Sequence, residues 1–167
     1  MFLNVIKDFF IKKSFRIKSV KKNIKTDEIL ILINIDSVSN LNALKNVLIT
    51  EVFIGKKISF LNFKETIENK EPINLELASK ESFNWKAKII EDWIHKIVEK
   101  PYNICLSFSN ENKYINSLVN SINAQYKFEI SDTRNDIFDV SLISSMSESS
   151  NYIEELKNYL KLFNLIN

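Results

Sequence analysis

The chain has 167 residues, 45% of them apolar and 26% charged, with a net charge of +2; this is one domain's worth of chain, long enough to bury roughly two-thirds of its unfolded surface and too apolar to stay disordered. Its single cysteine, Cys105, excludes an internal disulfide framework and a cysteine-rich zinc cluster. Its single glycine, Gly55, excludes the P-loop, the dinucleotide fingerprint and the nucleophile elbow, all of which need more than one glycine where backbone must approach a ligand or turn sharply.

The opening segment concentrates positive charge. Residues 1–25 hold Lys7, Lys12, Lys13, Arg16, Lys18, Lys21, Lys22 and Lys25 against one acid, Asp8, so the segment carries +7 and the remaining residues carry −5. Phe2, Ile6, Phe9, Phe10, Ile17 and Val20 fall on one stripe with the lysines away from it, which predicts a basic amphipathic helix. Such a helix can pack its stripe on the domain's own sheet. It can also dock on an anionic membrane surface or on RNA phosphates, with Lys12, Lys13, Arg16, Lys18, Lys21 and Lys22 as the binding residues. A protein partner is a further option, and the sequence leaves all of these open.

The rest, 26–167, reads as one α/β domain. "EILILINIDS" (28–37) is a continuous apolar run, as a strand buried on both faces looks. "SNLNALKNVLITEVF" follows with helical spacing and Ser39 or Asn40 as cap, and "KKISFLNF" (56–63) is a second strand, completing a βαβ unit. Residues 64–84 read as a loop with at most a short strand at Ile73 to Leu77. From Trp85 the helical period returns through Ile89, Ile90, Trp93, Ile94, Ile97 and Val98 and stops at Lys100-Pro101. Strand "YNICLSFS" (102–109), helix 111–125, strands "YKFEIS" and "FDVSLIS", and a closing helix at 150–166 complete the chain. With no helix between the last two strands, one of them could be an antiparallel edge. The expected architecture is a three-layer domain with a mostly parallel sheet of about five strands.

Few residues point to chemistry. His95, the only histidine, has no second ligand to share a metal and reads as a hydrogen-bonded surface residue, and Cys105 reads as a small hydrophobe within its strand. Asp36 ends the first strand, where ligands gather in open α/β sheets, although Asp and Ser are also favoured there as turn and cap residues. Asp132 and Arg134 lie in a polar loop after the fourth strand, on what could be the same rim, and Arg134 could clamp an anion or equally well pair with its neighbours. No catalytic residue, metal ligand or cofactor is implied. Phe83 and Trp85 flank the middle helix, as a hydrophobic staple or as an exposed aromatic patch.

No uncharged run reaches the length of a membrane span, and apolar residues precede the N-terminal charges in the wrong order for a secretory signal, so a cytoplasmic location is expected. "FNWKAKI", "NDIFDVSLI" and "EELKNYLKLFN", in that order, resemble an uncharacterised protein family of the Bacteroidota with a lysine-rich opening helix, a Phe-x-Trp junction and a closing Tyr-Leu helix. The chain departs from that pattern at Ala87, near where the family carries a glycine. The resemblance implies a cytoplasmic bacterial protein and supplies no catalytic residues. Two readings follow: a non-catalytic binding or accessory domain that docks through residues 1–25, or a small-ligand site or enzyme at the strand ends around Asp36, Asp132 and Arg134.

Overall fold

The computed structural model describes residues 23–67, 77–109, 112–131, 136–143 and 149–166. Six strands form one sheet: β1 (Glu28–Asn34), β2 (Lys57–Phe63), β3 (Leu77–Ala78), β4 (Tyr102–Phe108), β5 (Ala124–Ser131) and β6 (Val140–Ile143). Their order is β3-β2-β1-β4-β5-β6 and every neighbouring pair is parallel. That is the order of doubly wound α/β folds, in which the chain starts at the centre, winds to one edge, crosses back and winds to the other. The domain is α/β, as the sequence suggested, and β3 at Leu77–Ala78 is the short strand that the sequence allowed within residues 64–84. Among the described residues no antiparallel edge forms: Phe128 pairs with Val140 and Ile130 with Leu142 in parallel register.

Alternation within the strands explains the layers. On β1, Ile29, Ile31 and Ile33 face one side, and Leu30 and Leu32 face the other. The first side is covered by α1 (Leu41–Val47), its π-helical continuation Leu48–Val52, and α4 (Ser149–Leu162). The second is covered by α2 (Asp92–Glu99) and α3 (Lys113–Ser121). A strand between two helical layers has no polar face to keep, which is why β1 is apolar from Ile29 to Ile33.

Helix ends follow local chemistry. Asn40 caps α1, its Oδ1 accepting from the Ala43 N–H at 2.9 Å. Asn112 caps α3 by accepting from the Tyr114 and Ile115 N–H groups at 3.0 and 3.2 Å. α4 closes with Asn164 left-handed at φ 54, the Leu165 N–H donating to the Leu160 carbonyl and the Asn164 N–H to the Lys161 carbonyl. This is a Schellman ending, with Leu160 and Leu165 buried together beneath it. The lone glycine, Gly55, has φ 72 in the turn that leads into β2, a conformation that side chains strain.

The middle helix is shorter than its periodicity suggests. It begins at Asp92, and the preceding residues form a tight loop instead. Asn84 organises that loop: its side-chain oxygen accepts from the Lys86 and Lys88 N–H groups at 2.9 and 3.1 Å, its own N–H donates to the Lys88 carbonyl, and its carbonyl accepts from Ala87. Phe83 and Ile89 face each other in an antiparallel bridge. Ile89 and Ile90 thus satisfy a helical spacing without being helical, because asparagine turn chemistry wins locally.

Ala87 sits at φ 58 in this loop, where a Cβ is disfavoured. It is the position where the resemblance leads one to look for a glycine. Ala87→Gly is expected to stabilise the fold by about 0.5–1 kcal/mol, since relief of left-handed strain outweighs the extra unfolded-state freedom. Chemical denaturation measures this, and a loss of stability would show that the loop geometry is wrong.

Candidate functional site

In doubly wound sheets ligands bind at the carboxyl ends of the strands, at the point where strand order reverses. Here that point lies between β1 and β4. In dinucleotide-binding members a glycine-rich turn after β1 leaves helix N–H groups free for pyrophosphate. In this chain residues 35–40 contain no glycine, and the Asn40 side chain already occupies an N–H of the first turn of α1. One of the N–H groups that would meet a phosphate in those members is thus taken by the chain's own cap.

Asp36 lies on this rim, exposed, in the short turn Ile35–Ser37. Its Oδ2 accepts from the Glu65 N–H at 2.9 Å, and its own N–H donates to Asn34 Oδ1 at 3.3 Å. The carboxylate therefore ties the loop after β1 to the loop after β2, which is the turn role that the sequence allowed. Asp132 and Arg134 lie outside the described residues, as do Lys12, Lys13, Arg16, Lys18, Lys21 and Lys22.

Behind the rim, on the α3 face, sits a polar row that the sequence did not reveal. Leu32, Ser107, Glu129 and Ser141 are lateral register partners across β1, β4, β5 and β6. Glu129 is 1% exposed. Its Oε1 accepts from the Ser109 hydroxyl at 2.7 Å and its Oε2 from the Ser141 hydroxyl at 3.3 Å. Among the described residues, the buried Ser107 hydroxyl beside it and Asn116 Oδ1 on α3 find no hydrogen-bond partner.

Two places lower on the same face, Lys127 is also buried, and its Nζ donates to the Val119 carbonyl at 2.7 Å and the Asn120 carbonyl at 3.4 Å. It caps the C-terminal end of α3, where the helix dipole favours a cation. Desolvation nonetheless holds its pKa below the usual lysine value. Cys105, the register partner of Lys127, is fully buried, and burial pushes its thiol up to about 12 although Lys127 pulls the other way. A thiol so protonated is a packing group, as expected from the sequence. His95 likewise hydrogen-bonds locally, its Nε2 lying 3.0 Å from the Ile89 carbonyl.

The polar row makes a specific prediction. Glu129→Ala would strand the buried Ser109 hydroxyl away from water and open a cavity, and it is expected to cost about 3 kcal/mol of stability. Glu129→Gln keeps the shape and an acceptor, and should cost under about 1 kcal/mol. Urea denaturation of the two variants decides it. Equal losses would mean that the negative charge itself is required.

Open space lies elsewhere. A cleft of about 430 Å³ runs between α1 and α4 on the opposite face of the sheet, bounded by Val38, Asn40, Leu44, Val47, Tyr152 and Ile153. A neighbouring cleft of about 520 Å³ is flanked by Glu51, Ile54, Lys157 and Lys161. Among the described residues no group of three or more His, Cys, Asp or Glu side chains could hold a metal ion, and no helix is long and apolar enough to cross a membrane.

Comparison with known proteins adds one fact. The model of a family of unknown function (DUF6913) matches residues 5–163. The chain belongs to that family. No curated protein and no solved structure matches it. Family membership thus extends over nearly the whole chain, including most of the cationic segment, and carries no activity with it.

The buried polar row could have been found from sequence by one further step. "YKFEIS" alternates, which reads as a strand with Lys127 and Glu129 on a solvated face. A strand with a helix on each side of its sheet has both faces covered, so these two charges had to be buried with hydrogen-bond partners of their own.

Proposed function

We propose that the chain is a non-catalytic α/β binding domain that holds an anionic membrane surface through its cationic segment 1–25. The observation that carries this reading is charge segregation: +7 within those residues and −5 in the rest. The apolar stripe Phe2, Ile6, Phe9, Phe10, Ile17 and Val20 favours a lipid surface over RNA, because acyl chains reward buried apolar area and a phosphate backbone does not.

The body's own ion pairs support it. Asp27 pairs with Lys56, Glu28 with Lys57 and Lys100, Glu81 with Lys80, and Glu51 and Glu154 with Lys157. Lys100 and Lys57 hold the Glu28 carboxyl below its ordinary value. Asp36 and Asp139 accept from backbone N–H groups, and Glu91 from the Ser82 hydroxyl. Many of the acids that could neutralise the leader within the molecule already have local donors. The glycine-free turn before α1, the capped N–H of its first turn and the protonated Cys105 fit a role without covalent or nucleotide chemistry. A cytoplasmic bacterial location, in the Bacteroidota, belongs to the same reading.

Co-sedimentation of the intact protein with anionic vesicles, neutral vesicles and ribosomes over a salt series tests it. Binding to anionic vesicles alone, weakening with salt, is expected. Binding to ribosomes alone would transfer the segment to RNA, and no binding to any of them would reject docking.

A second reading, a small-ligand site near the strand ends, is favoured by the cleft beside Val38 and Asn40, which opens close to Asp36 in the chain. A thermal shift by a small molecule that Ala43→Leu abolishes and Lys-to-Gln changes in the leader leave intact would favour this reading over docking.

A further inference from the structure

The loop between β3 and α2 is built to keep its shape while exposing Trp85 and Ile90. Phe83 anchors it, 3% exposed, with its ring 5.5 Å from that of Tyr114. The Phe83–Ile89 bridge and the Ile90 N–H donated to the Ser82 carbonyl at 2.9 Å close its base. Glu91 accepts from the Ser82 hydroxyl and from the Trp93 indole, fixing the start of α2 beneath it. Asn84 fills the centre. The outward residues are then Trp85, 50% exposed, Ile90, 56% exposed, and Lys86 and Lys88.

Two features single this loop out. Residues 82–90 carry two lysines and no acid, within a body that is acidic overall. Lys86 Nζ also lies 4.7 Å from the centre of the Trp85 ring, so the cation and the indole form one tip. A rigid loop loses little conformational entropy when it binds, which suits it to insertion. Indoles favour the boundary between headgroups and acyl chains, and lysines reach back from there to lipid phosphates.

We propose that residues 82–90 form a second membrane contact, which seats Trp85 and Ile90 in the interfacial layer of an anionic bilayer while Lys86 and Lys88 meet lipid phosphates. This rests on the reading of the chain as a binder of anionic membranes. Single-stranded RNA is the competing occupant, since bases stack on indoles. Ile90 decides between them: it has no flat face to stack, and it gains free energy only where hydrocarbon or another apolar surface covers it.

The test uses the full chain beside its Trp85→Phe variant, so that the difference in indole emission between the two reports Trp85. On vesicles containing phosphatidylglycerol, Trp85 emission should move to shorter wavelength and be quenched by brominated acyl chains; phosphatidylcholine vesicles and a single-stranded RNA should do neither. Trp85→Ala with Ile90→Ser, both at exposed positions, should weaken partitioning by about ten-fold or more. Sedimentation with the vesicles without any change at Trp85 would overturn the tip and leave docking through residues 1–25 standing. Binding that survives Gln substitutions in the leader but is lost in the Trp85/Ile90 variant would uphold the tip and reject the leader. A Trp85 response to RNA alone would overturn the proposal.

Discussion

Gln at positions 12, 13, 16, 18, 21 and 22 is expected to lower the affinity of the protein for anionic vesicles by about 100-fold or more. A basic residue near an anionic bilayer contributes about 1 kcal/mol, so removing six takes away up to about 6 kcal/mol. The full sum is not reached where charges lie beyond the Debye length of about 8 Å at physiological salt. Docking requires these side chains to lie off the core, so the melting temperature should hardly move, as for surface substitutions within about 0.5 kcal/mol. Vesicle flotation and a thermal melt measure both. An unchanged affinity would contradict docking. A large drop in melting temperature would mean that these side chains are held by the body instead.

Phe108→Ala should destabilise the domain by about 3–5 kcal/mol, which at this chain length corresponds to roughly 10 °C of melting temperature. Phe108 lies on β4, the strand beside the switch point, and is fully buried under α4 with its ring 6.1 Å from that of Tyr152. Deleting it removes the contact that seats the first turns of α4 and leaves a void between two long-range elements. Phe163→Ala offers the comparison. Its ring lies 5.7 Å from both Tyr126 and Phe128 but is 39% exposed, so its loss can be filled by water and should cost about 1–2 kcal/mol. Equal effects of the two substitutions would show that α4 is not packed as described.

Much of this fold is legible residue by residue. The unbroken run of β1 announces a central parallel strand, and Asn40 and the Leu44-Leu48 spacing announce the helix after it, because both signals are local. The start of α2 is not legible from periodicity, since Ile89 and Ile90 mimic a helical face while Asn84 binds the backbone into a turn. The direction of β6 is hidden for a different reason: an apolar run such as "FDVSLIS" reads the same whether its strand lies parallel or antiparallel to its neighbour, and the pairing of Phe128 with Val140 is a long-range fact. Asp36 is legible as a rim residue, and its bond to Glu65 is not, because the partner lies on a separate loop. The cleft between α1 and α4 joins residues about a hundred positions apart, and no local pattern encodes it. Charge segregation, by contrast, needs no fold to be seen.

The most direct test of docking is amide hydrogen exchange on the intact protein with and without anionic vesicles. Docking predicts that residues 1–25 exchange fast in buffer and slow sharply when vesicles are added, with a smaller slowing at residues 82–90. Strong protection of residues 1–25 in buffer, unchanged by vesicles, would place the apolar stripe on the domain itself and contradict membrane docking.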